Sequence, residues 1–149
     1  MKIILASDRA GAEIRDKIAD YLSGPGHEVN NIRGEDVEKD YPDAAALACR
    51  AIQKGEAELG ILVCGTGIGM SITANKFRGI RAALLCDEYS ARMSASHNNA
   101  NVLCFGARTQ GPQKIFGMLD AYFGESFLGG RHGDRVAKIH RYEEEEKNR

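Results

Sequence analysis

The sequence predicts an α/β fold with a five-stranded parallel sheet, and three observations support this prediction. Five short apolar runs are spread along the 149 residues. Segments with the 3.6-residue period of amphipathic helices lie between them, so that strands and helices alternate. The run at 59–64 is apolar throughout, as expected of a strand that helices cover on both faces. This alternation is typical of βαβ units with right-handed crossovers.

The composition and net charge indicate which classes of protein the chain can belong to. The chain has 43% apolar and 28% charged residues, which is typical of a globular protein, and its length fits one domain over residues 1–149. A net charge of −1 provides no overall positive field to attract nucleic acid or an acidic membrane. The apolar runs are far shorter than the ~20 residues of a membrane span, and the first residues turn polar too soon for a signal peptide. We therefore expect a cytoplasmic protein that binds neither nucleic acid nor membrane.

The first half of the chain contains two strands and two helices. Residues 2–7 form the first strand, which Asp8 ends. Ile14, Ile18 and Leu22 recur every four positions, so the first helix buries one face. The helix stops at Gly24-Pro25-Gly26, since glycine and proline end helices. A second, weaker strand covers 27–32, and a polar loop follows it. The second helix begins near Pro42, which suits a first helical turn, and ends before Gly55.

The second half of the chain contains three more strands. The run at 59–64 leads through a glycine-rich loop into a helix that ends near Lys76. A fourth strand covers 80–86, and Asp87 caps the helix after it. Residues 101–105 form the fifth strand, and Pro112 opens a helix that continues to Gly124. Residues from about 129 to 149 form a charged C-terminal helical extension.

Polar residues follow several of the predicted strands directly. In parallel α/β sheets, ligands bind beyond the carboxyl ends of the strands. The residues that this rule places together are Asp8 and Arg9 after strand one, Cys64 after strand three, Asp87 after strand four and Arg108 after strand five. We expect this edge of the sheet to carry the functional site.

The loop after strand three, residues 64–69, reads Cys-Gly-Thr-Gly-Ile-Gly. Alternate glycines let the backbone approach a ligand, and the following helix points free N–H groups into the same space. A dinucleotide-binding motif would need glycine at position 70, where the chain has Met70, and a Walker loop would need Gly-Lys-Ser/Thr. The interpretation that remains is an anion hole preceded by a thiol. The alternatives are a tight turn that only packs against its neighbours and a loop that binds phosphate.

The four cysteines are widely spaced and do not suggest a zinc site. Cys49, Cys86 and Cys104 lie in apolar or helical segments, so we predict that they are buried and inert. Cys64 differs because a cysteine at a helix N-terminus has a stabilised thiolate, which can act as a base or nucleophile. From its position alone, Cys64 could equally be a reactive thiolate or an inert thiol.

Basic residues near the C-terminus form a second candidate group. Arg131 and Arg135 lie one turn apart if helical, and they repel each other unless an anion lies between them. The preceding pair Gly129-Gly130 lets the backbone bend around a ligand, and arginine donates two hydrogen bonds to phosphate; two solvated arginines are the alternative. His97 closes the helix after strand four, where it serves either as a cap or as an acid–base group.

Taken together, these motifs resemble those of type B ribose-5-phosphate isomerase and the related galactose-6-phosphate isomerase subunits. The resemblance runs from residue 2 to about residue 140 in the same order, over these segments: Asp8, 40–43, 64–71, 74–76, 79–82, 97–101 and 129–132. It implies a Rossmann-like three-layer sandwich, and a homodimer or dimer of dimers whose active sites use residues of both chains.

The resemblance also implies a role for individual residues. Cys64 resembles the base that moves a proton between carbons 1 and 2, with Thr66 and Tyr41 as supports around it and the sugar. His97 resembles the group that opens the furanose ring and shuttles the hydroxyl proton. The anion hole corresponds to Gly65, Gly67, Ile68 and Gly69. Asp8 and Asn98 resemble residues that bind the sugar hydroxyls. The phosphate-binding residues correspond to Arg108, Arg131 and Arg135, with His132 adjacent.

Arg9 departs from the family, which commonly has histidine there. A permanently charged Arg9 could bind phosphate or a carboxylate of another chain. A six-carbon sugar phosphate, such as allose or galactose 6-phosphate, or a free rare aldose therefore stays open as substrate. Isomerisation through a cis-enediolate needs a base, an oxyanion site and a phosphate anchor, so we expect no metal and no cofactor. The non-enzyme alternatives are a sugar-phosphate sensor and a nucleotide-binding module, which the glycine spacing opposes.

Overall fold

The computed structural model describes residues 1–24 and 26–149, and Pro25, at the predicted end of the first helix, lies outside the described residues. The five strands are β1 (Lys2–Ser7), β2 (Glu28–Asn31), β3 (Leu59–Cys64), β4 (Ala82–Leu84) and β5 (Val102–Gly106). They form one parallel sheet in the order β2-β1-β3-β5-β4. The predicted five-stranded parallel sheet is confirmed.

Seven helices connect or follow the strands in the described ranges. They are α1 (Ala12–Leu22), α2 (Glu35–Glu38), α3 (Tyr41–Gln53), α4 (Ile68–Ala74), α5 (Glu88–Ser96), α6 (Pro112–Phe123) and α7 (Gly130–Lys147). Asp87 caps α5 as predicted, accepting a hydrogen bond from the Ser90 N–H at 2.6 Å. None of these helices has the length and apolar character needed to cross a bilayer.

Alternating side chains of the strands divide the core into two layers. One face of β1 carries Ile3 and Leu5, which belong to a buried cluster with residues of α1, α5 and α6. The other face carries Ile4 and Ala6, which belong to a second cluster with residues of α3 and α4. Helices therefore cover both faces of the sheet, and the predicted three-layer sandwich is confirmed.

The edge strand β4 is shorter than the apolar run at 80–86 predicts. In the described sheet it pairs with β5 alone, and its residues are half-buried or exposed rather than covered on both faces. After it, Leu85 turns into the core while Cys86 faces solvent, so the prediction of a buried Cys86 is wrong. Apolar composition does not distinguish an edge strand from a central one, which is why the sequence suggests a longer strand.

The short helix α2 occupies part of the segment for which the sequence predicts a polar loop. Four residues are too few to show a helical period, so the pattern of apolar residues carries no signal for this helix. The N–H of Arg9 donates to the carbonyl oxygen of Glu38 at 2.9 Å. This contact holds α2 against the carboxyl end of β1.

The C-terminal extension forms the long helix α7, which lies at the amino ends of β4 and β5. Its start is fixed beside the end of α5, because the Leu128 N–H donates to the Ser96 carbonyl at 3.0 Å. Further along, the Glu143 carboxylate accepts the Gly79 N–H at 3.2 Å. Arg81 Nη1 lies 3.1 Å from His140 Nε2. These contacts place α7 at the edge of the sheet, away from the carboxyl ends of the strands.

Candidate active site

The carboxyl ends of β1, β3 and β5 are adjacent in the sheet, and backbone hydrogen bonds join their loops. The Asp8 N–H donates to the Val63 carbonyl at 3.3 Å. On the other side, the Ala107 N–H donates to the Cys64 carbonyl at 2.8 Å, and the Arg108 N–H donates to the Gly65 carbonyl at 2.9 Å. The structure therefore brings together Asp8, Cys64 and Arg108, as the rule for parallel sheets predicts.

Cys64 ends β3 with its side chain 5% exposed. Its Sγ accepts a hydrogen bond from the Gly67 N–H at 3.1 Å. Gly67 adopts the left-handed conformation, with φ of 79°, and a Cβ there would lie 2.9 Å from the carbonyl carbon of Phe105. Glycine at this position is what allows the backbone to fold over the sulfur and present its N–H group to it.

The other buried cysteines, Cys49 and Cys104, belong to the same apolar cluster as Cys64, but in the described chain neither accepts a hydrogen bond from a backbone N–H. Burial raises the pKa of the Cys49 thiol to about 12, and it raises the pKa of Cys104 as well. The prediction that both are buried is confirmed, and the raised pKa keeps the thiols protonated, as expected of inert cysteines. Among the cysteines, Cys64 alone combines a place at the ligand-binding edge with a backbone N–H donor.

The loop after Cys64 presents backbone donors rather than a long helix end. The Ile68 N–H donates to Thr66 Oγ1 at 3.2 Å. The N–H groups of Gly65, Thr66 and Gly69 have no hydrogen-bond partner in the parts of the chain that are described. α4 has only seven residues, so these loop N–H groups, more than a helix dipole, are the donors available to an anion.

Aromatic and basic side chains line this loop. The ring of Tyr41, the first residue of α3, packs where a Cβ of Gly69 would lie. The guanidinium of Arg108 packs against Gly65, with Nη1 3.1 Å from the position of a Cβ there. Asp8 accepts the Gly11 N–H at 3.1 Å, which fixes its carboxylate at the start of α1. Glycines at 65 and 69 thus make room for the two side chains that border the site.

A second group of predicted residues lies together around the start of α7. His97 caps the C-terminus of α5, and its ring stacks on that of His132 with centroids 3.9 Å apart and 13° between the planes. Burial, together with the charges of His97, Arg131 and Arg135, lowers the pKa of His132. His132 is therefore neutral near pH 7 and can accept or donate a hydrogen bond beside the two arginines.

Four predicted arginines are available to an anion. Their side chains are exposed, and within 1–24 and 26–149 none of them forms an ion pair: Arg9, Arg108, Arg131 and Arg135. The α7 helix places Arg131 and Arg135 one turn apart, as predicted. Unpaired guanidinium groups on one helical face suit phosphate binding.

One chain keeps the two groups at opposite ends of the sheet. Cys64 pairs with Gly106, the last residue of β5. His97 and Asn98 precede Val102, the first residue of that strand. The intervening strand spans about 13 Å. Arg108 thus lies with the first group, while Arg131, Arg135 and His132 lie with the second.

Two buried polar residues near the first group were missed by the sequence analysis. Gln110 joins the ends of β4 and β5, since its Nε2 donates to the Leu85 carbonyl at 2.7 Å and its Oε1 accepts the Gly106 N–H at 3.2 Å. Arg15 lies under the end of β1 and is 2% exposed. The sequence carried a signal for Arg15, because it falls at the helical spacing of three, four and seven residues from Ile18, Ala19 and Leu22. Gln110 sits in an unpatterned loop and carried none.

No cluster of three or more His, Cys, Asp or Glu side chains suited to a metal ion occurs among the residues described. What the first group offers is a thiol, backbone donors and two arginines. What the second offers is a histidine pair and two more arginines. These are the parts of a site for a small phosphorylated molecule that undergoes acid–base chemistry.

Known proteins of one family match the chain over nearly its whole length. The family model for ribose/galactose isomerase matches residues 3–139. Ribose-5-phosphate isomerase B of Escherichia coli is 42% identical over 93% of each chain, and D-erythrulose-4-phosphate isomerase of Pectobacterium atrosepticum is 39% identical over 99% of each. The structure of ribose-5-phosphate isomerase B from Mycoplasma genitalium with bound ribulose-5-phosphate has a TM-score of 0.88, at 37% identity and 97% coverage of both chains. The chain therefore belongs to the ribose/galactose isomerase family, as its motifs predict.

Proposed function

We propose that this protein is an aldose–ketose isomerase that interconverts ribose 5-phosphate and ribulose 5-phosphate through a cis-enediolate. The observation that carries the proposal is the Gly67 N–H on Cys64 Sγ at 3.1 Å, beside loop N–H groups that are free to bind an oxyanion. Family membership supports it, and so do the activity named for the E. coli relative and the ligand named for the M. genitalium structure.

The reaction needs one base and one oxyanion site. The Cys64 thiolate removes the proton from carbon 2 of the open-chain aldose. The electron pair of that C–H bond forms the double bond to carbon 1, and O1 takes the negative charge. The loop N–H groups stabilise O1, and such a donor is worth about 3 kcal/mol in a transition state. The thiol then returns the proton to carbon 1.

The hydroxyl proton needs a second group. O2 must lose its proton as the ketone forms, and O1 must gain one. His97 carries that proton between the two oxygens, and it also assists opening of the furanose ring before the carbon chemistry begins. Asp8 and Asn98 bind the sugar hydroxyls, and Tyr41 and Thr66 border the base.

A second copy of the chain completes the site in this proposal. His97 and Arg131 lie at the opposite end of the sheet from Cys64, so they reach a sugar bound at Cys64 only from another protomer. Large apolar side chains are exposed beside the Cys64 loop: Ile68 at 50%, Ile72 at 59% and Leu84 at 37%. Such a patch is typical of a protein interface, which supports a homodimer or dimer of dimers.

Arg9, at a position where the family commonly has histidine, leaves the chain length of the substrate open. D-erythrulose 4-phosphate is a second candidate substrate, because the P. atrosepticum relative is named for it and matches 99% of this chain. The six-carbon phosphates remain alternatives from the sequence. A cytoplasmic location also remains a prediction.

Initial rates on a panel of substrates test the proposal. We expect kcat/KM to be higher for ribose 5-phosphate than for D-erythrulose 4-phosphate, allose 6-phosphate, galactose 6-phosphate and free allose. A metal chelator should leave the rate on ribose 5-phosphate unchanged. A higher value for the four-carbon phosphate would favour the second candidate. Calorimetric binding without isomerisation over hours would contradict an enzyme and favour a sensor.

A further inference from the structure

A buried arginine lies beneath the first group of site residues. Arg15, in the first turns of α1, is 2% exposed and is among the largest fully buried side chains of the described residues. The resemblance to sugar-phosphate isomerases assigns it no role. Burying a guanidinium is costly unless ionic and hydrogen-bonding partners compensate, so its partners indicate what it holds in place.

Three different elements supply those partners. Nη1 donates to Ser7 Oγ at 3.0 Å and lies 3.3 Å from Glu38 Oε1. Nη2 and Nε both donate to Asp16 Oδ1, at 2.9 and 3.2 Å. Burial alone would raise the pKa of Asp16, but hydrogen bonds from Asn31 and Arg15 lower it overall. The carboxylate is thus ionised opposite the guanidinium.

Two of these partners adjoin the residues that border the proposed pocket. Ser7 is the last residue of β1 and precedes Asp8 directly. The Glu38 carbonyl accepts the Arg9 N–H at 2.9 Å. Glu38 is also the last residue of α2, two positions before Asp40, after which α3 begins. A single guanidinium therefore fixes β1 and α2 relative to each other, next to Asp8 and Arg9.

We propose that Arg15 is a positioning residue for the Asp8 side of the pocket, acting through Ser7 and Glu38 on Asp8 and Arg9. It does not touch the substrate. The planar fork of arginine spans Ser7, Glu38 and Asp16 at once, whereas a lysine ammonium is a single point that cannot reach all three. The inference rests on the proposed function for the identity of the ligand, but its geometry concerns one side of the pocket and leaves the Cys64 loop unaffected.

Two substitutions and a control test the inference. Arg15→Lys keeps the charge but loses the fork, and Glu38→Gln keeps the shape but loses the ion pair. We expect each to raise the KM for ribose 5-phosphate about tenfold, the effect of one lost charged hydrogen bond, with kcat changed by less than about threefold. Arg33→Gln is the matched control, since Arg33 also contacts Asp16, at 3.3 Å, but is 65% exposed and touches neither Ser7 nor Glu38. Its KM should stay within about twofold of the original chain.

The rate at which iodoacetamide alkylates Cys64, measured on the Cys64 peptide by mass spectrometry, distinguishes a positioning role of Arg15 from a general loosening of the fold. The Cys64 rate should stay within about twofold in both variants, because the side chains of Ser7, Asp16 and Glu38, which Arg15 holds, make no hydrogen bond to residues 64–69 in the described chain. A calorimetric Kd for ribose 5-phosphate replaces KM if turnover is absent, so failure of the proposed activity is distinguished from failure of this inference. An unchanged KM or Kd in folded variants would overturn the inference, and so would a Cys64 rate that changes as much as KM. If Arg15→Lys does not fold, the KM or Kd of Glu38→Gln decides between the same two outcomes.

Discussion

Replacing Cys64 by serine is expected to lower kcat for ribose 5-phosphate about 10³-fold, with little change in stability. A serine hydroxyl is almost the size of the thiol, so it fits a site that is only 5% exposed, and it can accept the same Gly67 N–H. It ionises far too weakly to remove a proton from carbon. Initial rates give the loss of activity, and thermal unfolding followed by circular dichroism shows whether the fold is kept.

Cys86→Ser is the matched control for this experiment. Cys86 is exposed, at the end of the edge strand, and has no place in the proposed chemistry. The kcat of the Cys86→Ser variant should stay within about twofold of that of the unaltered protein, as for most surface substitutions. If Cys64→Ser retained a tenth or more of the activity in a folded protein, the thiol would not be the base.

The double substitution Arg131→Gln, Arg135→Gln should lower kcat/KM by about 10² to 10³, mostly through KM. Each guanidinium stands one turn from the other on α7, and neither has an ion-pair partner in the described chain, so both are available to the phosphate. Inorganic phosphate should also stop inhibiting the variant, because the same charges would bind it. Steady-state rates with and without phosphate measure both effects.

Arg141→Gln controls for charge on the same helix. Arg141 pairs with Glu145 at 3.6 Å and is 56% exposed, so its loss should change kcat/KM by less than about twofold. Equal effects of the control and the double variant would mean that α7 contributes only a general positive field. A double variant within about threefold of the original would remove these arginines from the phosphate site.

The sequence predicted which residues lie together at the carboxyl edge of the sheet, because the signals for them are local. β3 is a fully buried strand with a continuous apolar run, and the loop after it has glycines where the backbone approaches Tyr41, Phe105 and Arg108. The topology of a parallel sheet then fixes which loops are neighbours. From these facts alone Asp8, Cys64 and Arg108 could be placed together.

The features that the sequence did not reveal depend on contacts between distant segments. β4 has an apolar sequence like a central strand, yet it lies at the edge, and whether Cys86 is buried depends on that position. Arg15 has the helical spacing of a core residue, but an arginine there is commonly taken as a solvated side chain. Its burial is decided by Ser7 and Glu38, which come from other elements.

The separation of His97 from Cys64 follows from the βαβ order rather than from any motif at either residue. Both are adjacent to predicted strands or helices, but they lie at opposite ends of β5 because the helix after β4 runs back along the sheet. A site that needs both groups must therefore use two chains. The proposed site therefore depends on that requirement as well as on Cys64.

A mixed dimer of two inactive variants shows whether the site is shared. Cys64→Ser and Arg131→Gln, Arg135→Gln chains can be expressed together with different affinity tags, and the mixed dimer purified through both tags. Each variant alone is nearly inactive, but a mixed dimer with shared sites holds one intact site of two, so we expect about half the kcat/KM of the unaltered dimer. Activity no higher than that of the separate variants would mean that each chain builds its own site, and it would contradict a site built from two chains.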